Sequence, residues 1–179
     1  MQLILRSALV MVTSLLMFCA TGAQAETIHA TLAGSQEVPV VSTEATGEFR
    51  GFISRDNQAI DYELVYSGLQ GAVTTQAHIH VAQPNVNGGI VIWFCQSASN
   101  PGPVGTPLCT DGSGKFVGTI TAASIVAIGG GNIGQQIGAQ ELAKVIAAIR
   151  AGNTYVNVHT DASTGGEIRG QIRGSHRKK

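Results

Sequence analysis

The sequence predicts a mainly β fold, an antiparallel sandwich or barrel with one or two short helices. Three observations carry this reading. Short runs of strand-forming residues recur along the chain, several alternating apolar and polar positions. Turn residues separate those runs at close spacing. Glycine is abundant, at 23 residues, whereas charged residues make up only 12% of the chain. Such a composition suits strands joined by many tight turns.

The elements follow in order. Thr27–Ala33 alternates as a first strand, and Ser35-Gln36-Glu37-Val38-Pro39 breaks it. Thr46–Ser54 and Ala59–Tyr66 flank the turn residues Arg55-Asp56-Asn57-Gln58 and read as a hairpin. Val73–Val81 is a strand, followed by a loop with Pro84, Asn85 and Asn87. Ile90–Cys95 is continuously apolar, as a buried strand is. Lys115–Ile120 is a further strand. Thr121 can cap a short helix, and Gly129-Gly130-Gly131-Asn132 reads as flexible loop without nucleotide-loop spacing. In Gln140–Arg150, Leu142, Val145, Ile146 and Ile149 recur at i, i+3, i+4 and i+7, which predicts an amphipathic helix. Arg150 in its last turn and Gly152 just beyond supply the stop. Thr154–Thr160 and Glu167–Arg173 close the fold as a pair of strands around Ser163-Thr164-Gly165-Gly166.

The first 25 residues have a different character. Arg6 is the only charge before Glu26, Ser7–Cys19 is almost wholly apolar, and Ala23-Gln24-Ala25 supplies an A-x-A cleavage signal. A basic start, an apolar core too short to span a bilayer, and A-x-A together predict a signal peptide cleaved after Ala25. Phe18 before Cys19 speaks against lipoprotein processing, which wants a small residue there. The expected product is one domain, residues 26–174, with a basic tail at 175–179, released to the periplasm or secreted. No membrane span is expected in it.

Charge and cysteine content narrow the function classes. The net charge is +0, so there is no basic stripe for nucleic acid. No phosphate loop, dinucleotide fingerprint, nucleophile elbow or zinc-protease helix appears. After loss of Cys19, Cys95 and Cys109 remain, and in an oxidising compartment they are expected to form one disulfide.

Several motifs then converge on one family. They are Ala30-Thr31-Leu32-Ala33-Gly34-Ser35-Gln36-Glu37-Val38-Pro39, Tyr66-Ser67-Gly68-Leu69, Ala77-His78-Ile79-His80, Arg150-Ala151-Gly152-Asn153-Thr154-Tyr155-Val156-Asn157-Val158-His159-Thr160, and Gly165-Gly166-Glu167-Ile168-Arg169-Gly170-Gln171-Ile172. In this order, from about Thr27 to Gly174, the chain resembles the chordin-type domain, CHRD. Val40 departs from the family's frequent second proline. The resemblance implies an extracellular module of undefined activity. The corresponding fold expectation is an immunoglobulin-like or superoxide-dismutase-like β-sandwich or barrel.

Strand alternation makes three of these motifs chemically suggestive. His78 and His80 share one face of their strand, opposite Ala77, Ile79 and Val81. Asn157 and His159 oppose Val156 and Val158, while Glu167, Arg169 and Gln171 oppose Ile168 and Ile172. If the three strands are neighbours, one outer face gathers three histidines, a carboxylate and an arginine. His78, His80 and His159 are then candidate ligands for copper or zinc, which imidazole nitrogen suits. Asn157, Glu167 and Arg169 are candidates for a structural polar network. The His-x-His strand is also similar to that of copper–zinc superoxide dismutase. That enzyme's site, however, needs further histidines and an acidic zinc ligand, and only His29 and His176 remain here. Asp61 with Glu63 reads as a solvated strand face, and Asp161 as a turn residue.

The leading functional expectation is a non-enzymatic exported module that binds a periplasmic or extracellular protein, or an envelope component. The alternative is a copper- or zinc-binding periplasmic protein, and behind it a dismutase-like redox enzyme.

Overall fold

The computed structural model describes residues 25–128 and 134–175. The expected signal peptide up to Gln24, the loop Gly129–Asn132 and the tail from His176 onward lie outside the described residues.

Nine strands and one α-helix make up the described fold. They are β1 Glu26–Ala33, β2 Thr46–Ile53, β3 Ile60–Ser67, β4 Thr74–Val81, β5 Gly89–Cys95, β6 Gly114–Ile120, α1 Leu142–Arg150, β7 Thr154–Thr160, β8 Ile168–Gln171 and β9 Arg173–Gly174. Helix α1 starts two residues later than its apolar periodicity suggests. Gln140 has φ of 64°, a left-handed conformation that no α-helix continues. Thr121 is followed by a 3-10 turn, Ala122–Ser124, in place of the expected short helix.

All strands pair antiparallel in one sheet of order β5-β4-β7-β8-β1-β2-β3-β6, with β9 added to β1. The β2–β3 hairpin pairs in the expected register, from Thr46 opposite Ser67 to Ile53 opposite Ile60. The final strand is split. Ile172 is fully buried and donates to Thr154 O, while Arg173 moves across to pair with His29.

The sheet curls until its end strands β5 and β6 nearly meet, giving an almost closed barrel. At one end of the seam the expected Cys95–Cys109 disulfide ties the last residue of β5 to the loop that leads into β6. Beside it Gln96 N donates to Pro107 O at 2.9 Å, and Cys109 N donates to Gln96 O at 2.8 Å. The barrel interior holds Ile28, Leu32, Phe49, Leu64, Ile79, Phe94, Val156 and Val158, all fully buried. Each such side chain contributes about 1.5–3 kcal/mol through burial. Leu142, Val145, Ile146 and Ile149 of α1 join this core. Arg150 anchors the helix to Glu26 at 2.8 Å and to Asn57 at 2.7 Å.

The two halves of the sheet differ in a way that positions the site. Strand β2 alternates strictly between exposed and buried residues, so its outer face meets solvent. Every residue of β7 is buried, and so are all residues of β4 except Gln76. The outer face of β4 and β7 is therefore covered. Its cover comes from chain segments 34–41, 82–88 and 161–166, which fold back over the sheet.

Candidate metal centre

Antiparallel pairing puts β4 beside β7, with Gln76 opposite His159, His78 opposite Asn157 and His80 opposite Tyr155. Strand β7 in turn pairs with β8, setting Asn157 opposite Arg169 and Tyr155 opposite Gln171. On the other side, His78 lies opposite Trp93 of β5. The histidines thus share one outer face, but that face is not a solvated surface. His78, His80 and His159 retain only 0%, 8% and 6% of their exposure.

The covering loops orient the rings. His80 Nδ1 lies 2.9 Å from Gly88 O, and His159 Nδ1 lies 3.0 Å from Thr164 O. A carbonyl can only accept, so both Nδ1 atoms carry the proton and both Nε2 atoms present a lone pair. His78 Nδ1 lies 3.1 Å from His80 Nε2 and donates to that lone pair. In neutral His78 this leaves Nε2 unprotonated. His78 Nε2 and His159 Nε2 are buried and have no hydrogen-bond partner. The candidate ligand atoms of the three rings all lie within 4.8 Å of one another. Nitrogens bound to a metal at about 2.0–2.1 Å sit roughly 3.4 Å apart, so small ring rotations would close the set.

Electrostatics keeps these rings neutral. Burial lowers the pKa of His78 far below its ordinary value, and the neighbouring histidines push it the same way. Burial brings His80 down to about 4 against the opposing pull of Gly88 O. His159 falls to about 4 for the same reason, opposed by Thr164 O. Neutral imidazole is the form that binds a metal ion; the lone pairs of His78 Nε2 and His159 Nε2 are free, and that of His80 Nε2 is released when His78 turns away from it.

Aromatic rings wall the cluster. Trp93 meets His78 edge-on at 4.5 Å between centroids, and Tyr155 stacks flat on His80 at 4.7 Å. The Arg169 guanidinium lies 4.7 Å from the Tyr155 ring on the far side of the row. It donates to Gln36 O and, at 2.9 Å, to Asn87 Oδ1. Asn87 reaches on to Val38 O at 3.1 Å, which links two covering segments.

The expected polar network divides in two. Asn157 and Arg169 belong to the histidine face, but the carboxylate beside them is Glu37. Asn157 Nδ2 donates to Glu37 Oε1 at 2.8 Å. Burial raises the Glu37 pKa to about 7 against the pull of Arg169 and Asn157. Glu167 instead turns to the end of the barrel. It accepts from Thr43 Oγ1, Gln70 N and Thr160 Oγ1 at 2.8 Å each and from Gly71 N at 3.3 Å. Burial pushes its pKa up, but these donors outweigh it and hold the carboxyl below its usual range. Strict alternation fails at Glu167 because it precedes β8 and follows Gly166, whose φ is 122°. A Cβ on Gly166 would come within 2.5 Å of both Asn157 Oδ1 and Glu37 Oε1, so the cover is closely packed there.

Sequence reasoning missed Glu37, Trp93 and Tyr155 as neighbours of the histidines. Only cross-strand register and loop packing bring them there. Asp161 serves as the expected turn residue, accepting from Val73 N and Ala162 N.

Comparison with curated proteins and with solved structures gave no match. The CHRD domain family does match, over residues 28–172 and thus from the first barrel strand to the last buried isoleucine, and the chain belongs to that family.

Proposed function

We propose that this CHRD domain is an exported, non-enzymatic module that binds a transition metal, copper or zinc, through His78, His80 and His159. The observation that carries the reading is the pair of buried, unpartnered nitrogens, His78 Nε2 and His159 Nε2, in a cluster of three neutral rings. A histidine serving only the scaffold would satisfy both ring nitrogens. Leaving a buried polar atom unpaired costs about 1–3 kcal/mol, so two such atoms aligned in one cluster call for a ligand. The carbonyls of Gly88 and Thr164 hold the outer nitrogens of their rings, the arrangement that orients metal-binding histidines. The Cys95–Cys109 disulfide fits an oxidising compartment and supports export.

The test is metal content. Protein taken from the periplasm without chelators should carry about one copper or zinc per chain. His78→Ala with His80→Ala should abolish it while circular dichroism and the disulfide remain intact. No uptake by the wild-type protein, or equal uptake by a folded variant, would end the metal reading.

A further inference from the structure

We infer that the histidine site, granted the metal reading above, selects monovalent copper over zinc and over divalent copper. The argument rests on charge, burial and the number of donors.

The donors are three neutral imidazoles. No carboxylate or thiolate belongs to the cluster, and the two described cysteines are tied to each other. A bound ion therefore keeps its full formal charge. It would also be buried, because the three rings are at most 8% exposed. The cost of burying an ion grows with the square of its charge, so a divalent ion pays about four times the penalty of a monovalent one.

The surroundings do not supply a counter-charge. Arg169 places a cation beyond Tyr155, which stacks on His80. Glu37 brings a carboxylate to this face, bonded to Asn157 opposite His78. Glu37 is set against Arg169, and no carboxylate belongs to the cluster itself to offset a second positive charge on the metal.

Coordination number points the same way. The walls of the cluster are the rings of Trp93 and Tyr155. Zinc favours four ligands, and divalent copper favours a tetragonal set. Monovalent copper, a filled-shell ion, is content with two or three. Imidazole is a harder donor than thiolate, so the selection comes from charge and donor count rather than softness.

The mature protein, disulfide intact, can be titrated anaerobically with Cu(I) buffered by bicinchoninate, and separately with Zn(II) and Cu(II). Trp93, the single tryptophan, adjoins His78 and reports filling of the site by fluorescence. The expected result is one Cu(I) per chain, bound at least about tenfold more tightly than either divalent ion. That binding should be lost in His78→Ala/His80→Ala, and the loaded protein should stay silent in electron paramagnetic resonance on exposure to air. Divalent binding within tenfold of Cu(I) would overturn the selectivity and leave the metal site standing. Absence of binding by all three ions, or Cu(I) binding that survives in the folded double variant, would overturn both.

Discussion

Replacing Glu167 by glutamine tests whether the buried carboxylate holds the loop end of the barrel together. Each of its oxygens accepts two hydrogen bonds, Oε1 from Thr43 and Gln70 N, Oε2 from Thr160 and Gly71 N. These partners join segments up to 124 positions apart in sequence. Glutamine keeps one oxygen and turns an NH2 group toward two donors. Hydrogen bonds to a charged acceptor contribute about 1.5–3 kcal/mol each, so losing two costs roughly 3–6 kcal/mol. A threonine hydroxyl that rotates to accept from the new amide recovers about 1 kcal/mol, leaving a net loss of about 2–5 kcal/mol. For a domain of this size that is a fall in Tm of roughly 4–20 °C. Urea denaturation at pH 7 should show a lower midpoint with an unchanged m-value. A loss under about 0.5 kcal/mol would refute the reasoning, because it would mean that the four contacts stabilise the fold no more than water does.

The protein kept in a chelator should weaken in acid. His80 and His159 titrate at about 4 in the fold, and His78 lies lower still, against an unfolded value of 6.5. Between pH 6.5 and 4 the unfolded chain therefore binds up to three more protons at these rings, and stability falls as pH falls. Glu37, raised to about 7, runs in the opposite direction with one proton. The net difference of about two protons predicts a slope near 2.7 kcal/mol per pH unit around pH 5.5. Urea midpoints at pH 5.0 to 6.5 in the presence of a chelator measure it, and a flat profile would exclude neutral buried rings. The disulfide gives a separate prediction. Its 14-residue separation implies a loss of about 3 kcal/mol when Cys95 and Cys109 are both changed to alanine. Amide exchange should then quicken first in β5 and β6, where the seam opens; uniform exchange across the sheet would contradict that role.

The strands were legible because a half-buried strand writes its two faces into alternate residues, as Gly47, Phe49, Gly51 and Ile53 do in β2. The helix was legible from the spacing of Leu142, Val145, Ile146 and Ile149, and the disulfide from the two remaining cysteines. Sharing of a face by His78 and His80 follows from the two-residue repeat alone. The burial of that face does not. Its cover is made by contacts such as Asn157 with Glu37 and Arg169 with Asn87, 120 and 82 positions apart, and no local pattern encodes them. The same holds for choosing Glu37 over Gln36 as the residue that turns inward. Glu167 misled for a local reason, since the backbone at Gly166 breaks the alternation that would have aimed it at the histidines.

That division bears on how the candidate site arises. The sheet supplies three imidazoles in register, yet an open sheet would leave them solvated, freely rotating and titrating near 6.5. The covering segments change all three properties. Gly88 and Thr164 fix two rings through their carbonyls, and the cover removes water and lowers the histidine pKa values. The three imidazoles thus come from β4 and β7, whereas their orientation and dehydration come from loops 82–88 and 161–166. Changes in those loops would alter the orientation and burial of the rings while every histidine stays in place. A search for this chemistry on other barrels of this kind should therefore weigh what covers the His-x-His strand as heavily as the histidines themselves.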